Sequence, residues 1–277
     1  FSKNNWTTER TYHDSLGNLA PFDGIAKVKW VRDNNGNEIE EWRYNKFNQL
    51  LDSGVAVIKN KFDDFGNIIE IRNYDQSMNL IKTEAAIIQI DYNRYNEIVS
   101  EKYLDHFGRP SIYNKDNVHI YEYLYDDNNF YLGKRFKGVD GDLVEIDGIA
   151  QIAIKPDKRG NTLSMTYLNS TSNLTLDENG ISIYTYGYDL YDREISFAYQ
   201  GSDSLVGKYN GYFSRANLTR DRAGNIIRKI HYNESGELTI NSDSVALYIN
   251  KYNRNGKVTT WSYTVEEALI KLDDEKK

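Results

Sequence analysis

Asp33, Asp63, Asn93, Asp126, Asp157, Asp189, Asp221 and Asn253 mark a repeat whose successive separations are 30, 30, 33, 31, 32, 32 and 32 residues. Three residues after each anchor stand Gly36, Gly66, Asn96, Asn129, Gly160, Asp192, Gly224 and Gly256. All of these belong to the small set of residue types that tolerate a left-handed backbone. A period of this length restricts the chain to repeat architectures, in which one supersecondary unit gains from its neighbours the burial it lacks alone. A partial unit around Asp14 and Gly17 comes before the first anchor.

The nine residues before each anchor alternate. Seven before it lie Ala26, Ala56, Ala86, His119, Ala150, Ser182, Ser214 and Ala246, nearly all small. Five before it every residue is apolar or aromatic, as in Val28, Ile58, Tyr121 and Tyr184, and three before it six of eight are. A step of two residues on one side marks a half-buried strand. The other side carries Lys27, Lys29, Lys59, Lys61, Gln89, Asp91, Glu122 and Lys155, and is expected to face solvent.

The Asp-x-x-Gly spacing suits a type I turn closed by a left-handed residue, with a bulge, leading into a second strand such as Ile68 to Tyr74. A second turn opens at Asn45, Asp75, Asp105, Gly138, Asn169, Gly201 or Asn233. Beyond it a short extended tail carries Leu50, Leu80, Pro110, Leu143, Leu174, Val206 or Leu238. Eight before each anchor the residue is apolar although parity points it outward (Ile25, Val55, Ala85, Val118, Ile149, Ile181, Phe213 and Val245). The tail is expected to cover it.

The predicted fold is therefore all-β: tandem β-hairpins forming an elongated, curled, solenoid-like antiparallel sheet. Residues 1–23 read as an N-terminal partial repeat or cap, 24–263 as eight hairpin repeats with about sixteen strands, and 264–277 as a helix and charged tail. A propeller is the rival, but its blades need about 40–50 residues. Thr264-Val265-Glu266-Glu267 is a capping box, and the helix it opens is expected to cover the last strand.

Composition agrees with a thin core. Residues of the set AVILMFWYC make up 39% of the 277, a share that includes 23 Tyr, whereas 13% aromatic content is too high for a disordered chain. The net charge of −7 disfavours nucleic acid and anionic membrane surfaces as partners, and no run of eighteen apolar residues offers a membrane span. Absence of cysteine removes disulfides, thiolate metal sites and a Cys nucleophile. The chain opens on Phe1 and reads as a processed product or a piece of something longer.

The segments Val31-Arg32-Asp33-Asn34-Asn35-Gly36-Asn37 and Lys61-Phe62-Asp63-Asp64-Phe65-Gly66-Asn67, with the pairs Tyr125-Asp126 and Tyr188-Asp189, resemble the Tyr-Asp-x-x-Gly-Asn repeats of bacterial surface and secreted proteins. That class includes the YD repeats of RHS toxins and teneurins, which form curled β-shells with a period nearer twenty residues. Phe22-Asp23-Gly24-Ile25-Ala26 is also similar to WG repeats, without their Trp-Gly pair. The resemblance implies a repeat scaffold in an extracytoplasmic setting, at the cell surface or secreted, and transfers no catalytic residue.

Chemistry-bearing motifs are few. His13, His106, His119 and His231 lack metal-ligand spacing, there is no Gly-x-Ser-x-Gly elbow, and Asp33-Asn34-Asn35-Gly36-Asn37 lacks the remaining ligands of a calcium loop. No metal, cofactor or catalytic residue is expected. Aromatic residues are the lead: Phe65, Tyr95 and Tyr191 fall at the tips of one set of turns, Phe47 and Phe107 at the tips of the other. They either pack on adjacent turns as a ladder or stand exposed to stack a sugar or a protein side chain. Trp6, Trp42 and Trp261 are further candidates. The expected role is non-enzymatic binding of a protein partner. The alternative is a carbohydrate-binding module, with a glycoside-active enzyme behind it.

Overall fold

The structure is a computed structural model that describes residues 6–82, 85–112, 117–201 and 213–274. The predicted tail residue Val206 and part of the charged end lie outside these residues. Seventeen strands and one helix occur among the described residues, and every recorded strand pairing is antiparallel. The expected all-β hairpin array is what the chain forms.

Contacts divide the chain into two compact units, one of residues 1–123 with 136–144, the other of 124–135 with 145–277. The first holds β1 (Glu9–Thr11), β2 (Lys27–Arg32), β3 (Glu38–Tyr44), β4 (Val57–Phe62), β5 (Ile68–Tyr74), β6 (Ile87–Tyr92) and β7 (Ile98–Leu104). The division runs through the strands β8 (Ile120–Tyr125) and β9 (Tyr131–Lys137). The second holds β10 (Gln151–Pro156), β11 (Thr162–Leu168), β12 (Ile183–Tyr188), β13 (Glu194–Gln200), β14 (Arg215–Arg220), β15 (Ile226–Tyr232), β16 (Leu247–Tyr252), β17 (Val258–Tyr263) and α1 (Val265–Asp274). The strand beyond the expected sixteen is β1. It pairs with β2, and the Asp14–Gly17 turn that follows it is of the second kind, bridged back by His13 and Leu19 as Tyr44 is by Leu50.

The turns obey local chemistry. All eight residues three after an anchor have positive φ, from 61° at Asp192 to 94° at Gly36. At each such turn the anchor's side chain takes the place of a backbone partner. Asp63 Oδ1 accepts from the amides of Phe65 (2.9 Å) and Asn67 (2.8 Å), while Gly66 N–H donates to the Asp63 carbonyl. This is the local bonding that makes Asp and Asn turn formers. In six hairpins the expected bulge appears as a register shift one residue before the anchor, as between Lys61 and Phe62. The β16–β17 hairpin runs in unbroken register, and β17 is one residue shorter than β3.

Burial is thin and periodic. Ala26, Ala56, Ala86, Ala150, Ser182, Ser214 and Ala246, the small residues seven before the anchors, are completely buried, and His119 in the same position is nearly so. The backbone at this position bonds to both neighbouring strands, as Ala56 does to Tyr74 and Arg43 and His119 to Lys137 and Tyr103. The outward-by-parity residues Ala85, Val118, Ile181, Phe213 and Val245 are buried too. In the first unit Leu80 packs with Val55 and Leu104 against Ile81, Ala86 and Ile87, so a tail does cover this face. In the second, α1 lays Val265, Ala268 and Leu272 in a cluster with Ile230, Ala246 and Leu247. The Glu267 half of its capping box is made: the Thr264 amide (2.9 Å) and hydroxyl (3.1 Å) both donate to Glu267 Oε2.

Rows of rings strengthen each unit across its strands. Tyr121 stands edge-on to both Tyr103 and Phe136 in the first, and Tyr184 to both Tyr167 and Tyr199 in the second, with centroids 5.3–6.0 Å apart. One expectation fails. Lys27 is buried, because its ammonium donates to Asn48 Oδ1 and lies 4.5 Å from the centroid of Tyr44, its cross-strand partner.

Candidate functional site

The first set of turns is stitched together. In the first unit, Asn37 Oδ1 approaches Gly66, where an added Cβ would lie 3.7 Å away, and Asn67 Nδ2 donates to Asn96 Oδ1 at 3.3 Å. In the second, the Phe130 ring lies against Gly160, Asn161 Nδ2 donates to Asp192 Oδ1 at 2.6 Å, and the Arg193 side chain lies against Gly224. In these five junctions the residue four after one anchor meets the residue three after the next, whereas an added Cβ at Gly256 meets nothing within 4 Å. Trp6 covers Gly36 in the same way, so it serves as an end-piece for this row. Two arginines add longer clamps, Arg159 to the carbonyls of Asp189 and Leu190 (both 3.0 Å) and Arg193 to the carbonyl of Asp221 (3.2 Å).

These bonds hold the anchor carboxylates as turn-forming acceptors. The side-chain bonds from Asn67 to Asp63, from Asn161 to Asp157 and from Asn225 to Asp221 lower the pKa of each below the usual Asp range. Asp189, bonded by Arg193 and by backbone amides, is lowered to about 2. A carboxyl held ionised in this way is a poor proton donor near neutral pH. No group of three or more His, Cys, Asp or Glu able to hold a metal exists among the described residues. Of the histidines, the Nδ1 of His119 lies 2.7 Å from the Tyr103 carbonyl and that of His231 3.1 Å from the Val245 carbonyl, as structural groups inside the sheet.

All five turn-tip rings are exposed, Phe65 by 81% and Tyr95, the most covered, by 49%. Within the first unit no two of them touch. Four carry a cation from their own turn above the ring: Lys46 on Phe47 (5.1 Å), Arg94 on Tyr95 (4.8 Å), Arg109 on Phe107 (4.6 Å) and Arg193 on Tyr191 (5.0 Å). Phe107 also lies against His106, with centroids 3.9 Å apart and the rings tilted by 40°. Phe65 and Tyr95 stand on adjacent turns, which the strand spacing sets about 10 Å apart. Phe47 and Phe107 lie on the opposite turn row, separated by the Asp75–Met78 turn, and Tyr191 belongs to the second unit.

Two recesses accompany these rings in the first unit. One, of about 690 Å³, lies between the first two turns and is lined by Asp33, Asn35, Asn37, Asn60, Lys61 and Phe65 among others. The other, of about 460 Å³, is lined by Thr8, Glu9, Lys29, Trp30, Val31, Trp42 and Tyr44. The indoles of Trp30 and Trp42 donate to Glu41 (3.0 Å) and Glu40 (2.9 Å), which fixes both rings. Trp42 thus shares one face of β3 with Tyr44, which the turn pattern did not single out, whereas Trp30, opposite Glu41, points to the other face. The signal lay in the spacing of Trp42 and Tyr44, two residues apart on one strand and therefore on one face. Trp261 is half exposed on β17.

No protein-family model matches the chain, and no curated protein matches it. Solved structures do. "Crystal Structure of TcdB2-TccC3-Cdc42" aligns over 95% of this chain and 14% of that chain, with 16% identity and a TM-score of 0.42. "Crystal Structure of TcdB2-TccC3-TEV" aligns over 91% and 14%, with 16% identity and a TM-score of 0.44. "Crystal Structure of TcdB2-TccC3 without hypervariable C-terminal region" aligns over 95% and 14%, with 14% identity and a TM-score of 0.41. The chain therefore spans about a seventh of the length of the solved chains it matches, and such figures speak to neither ligand nor partner.

Proposed function

We propose that this chain is a non-enzymatic β-repeat scaffold that presents its turn rows to a protein partner. The observation that carries this reading is the set of five exposed turn-tip rings, four of them topped by a cation of the same turn. A ring with a guanidinium above it offers apolar area and positive charge together, the combination enriched where protein interfaces concentrate their energy. Turns bonded to their neighbours hold Phe65, Tyr95 and Tyr191 in place, so little ordering entropy is lost on binding there. The anchor carboxylates, bound up in turn bonds, argue for binding rather than hydrolysis. The extracytoplasmic setting implied by the Tyr-Asp resemblance belongs to this proposal; no helix among the described residues is long and apolar enough to cross a membrane.

A photo-crosslinking residue placed at Phe65 or Tyr95 is expected to give a discrete protein adduct in extracts of the source cells, and the same residue at Asn255 to give none. Equal labelling at all three sites would remove the reading. A glycan ligand is the second reading, favoured by the recess of Trp30, Trp42 and Tyr44 beside Glu9 and Lys29. It predicts glycan-array binding that Trp42→Ala, or Phe65→Ala with Tyr95→Ala, abolishes.

A further inference from the structure

Every other second strand of a hairpin with recorded outer pairing is met on its far edge by the next hairpin in one fixed register. Glu40, Glu41 and Trp42 of β3 pair with Lys59, Ile58 and Val57; Glu70, Ile71 and Arg72 of β5 pair with Gln89, Ile88 and Ile87. In the second unit β11, β13 and β15 repeat the arrangement. On β17, Thr259, Thr260 and Trp261 stand at the equivalent places, counted back from Tyr263 as the others are from Tyr44, and within the second unit β16 is its sole strand partner among the described residues. The Tyr263 carbonyl accepts from Ala246 N–H, as that of Tyr44 does from Ala26. By the alternation of an antiparallel ladder, the backbone groups of Val258, Thr260 and Ser262 then point away from β16.

Nothing in β17 guards this edge. Its sequence Val-Thr-Thr-Trp-Ser-Tyr has no charge and no proline, its residues are strong strand formers, and it lacks the bulge present in the other recorded hairpins. By contrast β1 has three residues, two of them charged. Val258 and Trp261 are exposed, as are Leu269 and Ile270 on the helix that follows directly.

We propose that the outer edge of β17 pairs antiparallel with β17 of a second copy of this chain, continuing the sheet across a two-fold axis at Thr260. An uncharged strand meets itself without like-charge repulsion, whereas pairing on β1 would set it against Glu9 and Arg10. Two-fold symmetry preserves the faces of the sheet, so a residue on the axis must face its own copy. Centring on Thr260 joins Val258 with Ser262 of the partner and uses every outward backbone group between them. This surface is separate from the turn rows, and the proposal stands apart from their role.

The test is sedimentation of the 277-residue chain across a micromolar concentration series. A concentration-dependent dimer is expected. Ser262→Pro removes an amide that points outward and leaves the β16 pairing intact, so it is expected to weaken the dimer on the order of tenfold or more while circular dichroism stays unchanged. Because the chain has no cysteine, Thr260→Cys supplies one thiol per copy and is expected to oxidise to a disulfide dimer, whereas Asn255→Cys at a turn tip remains monomeric. A monomer throughout the series overturns the proposal. So does a dimer that Ser262→Pro leaves intact and Thr260→Cys fails to crosslink.

Discussion

Asn161 Nδ2 donates to Asp192 Oδ1 at 2.6 Å across a sequence separation of 31 residues, joining two turns that share no strand. The same amide donates to Asp157 Oδ2 at 3.1 Å, so a single side chain closes its own turn and anchors the next. Arg159 reinforces it through Asp192 Oδ1 at 2.9 Å.

Asn161→Ala is expected to lower the stability of the second unit by about 1–2 kcal/mol, the sum of two side-chain hydrogen bonds to partly exposed groups. Urea unfolding measures it. Faster amide exchange at Leu190 and Tyr191 in the variant would show that the loss reaches the neighbouring turn.

Ser182 is completely buried in a column that is otherwise mostly alanine, and its hydroxyl has no hydrogen-bond partner. Ser182→Ala removes an unsatisfied polar group without opening a cavity. It is expected to raise the unfolding midpoint, with a gain of roughly 1 kcal/mol. A loss on this substitution would mean that the hydroxyl is bonded in solution.

His231 is completely buried, with Nδ1 facing the Val245 carbonyl and Nε2 unpartnered, among Phe213, Tyr248, Lys229 and Asp243. Burial first, and then the charge of Lys229, lowers its pKa to about 4 from an ordinary 6.5. The unfolded chain therefore binds a proton between these two values that the folded one refuses. Stability is full above pH 6.5 and falls as the pH drops toward 4, by up to roughly 3 kcal/mol. His231→Phe is expected to flatten this part of the profile, as read from urea midpoints at pH 7, 6 and 5. The further loss below pH 4, where Asp189 and its like take up protons, is expected to remain.

Leu80 lies on the tail that covers Val55 and Ile81. Leu80→Asp is expected to lower the stability of the first unit by about 2–5 kcal/mol, the range for losing a buried leucine. A thermal melt decides it; an unchanged midpoint would show that the tail is not needed to shield the face.

What was legible in the sequence was local. The positive φ of Asn96 and Asp192, the bulged hairpins and the capping box of Thr264 and Glu267 follow from bonds made within a few residues, and the spacing exposes them. The buried column of Ala26, Ala56 and their equivalents was visible for the same reason, since period and size coincide. Non-local pairings were hidden. Burial of Lys27 depends on Asn48 across a hairpin, and Gly133 is required because a Cβ there would lie 1.9 Å from the Ile152 carbonyl oxygen of another strand. The missing bulge of β17 was in reach of simple counting, because Tyr263 falls ten residues after its anchor where Tyr44 falls eleven after Asp33. Exposure of the five rings could be read from their turn positions. Their division between two turn rows could be read likewise; the cation over four of them could not, because it depends on side-chain rotamers within each turn.

The contact between the fourth residue of one turn and the third of the next has a further meaning, for descent rather than stability. Where joints are made to one pattern, tiles are exchangeable: excising residues 38–67 sets Asn37 beside Asn96, where Asn67 now stands. A chain built this way can change its reach by whole periods through unequal recombination and keep such seams closed.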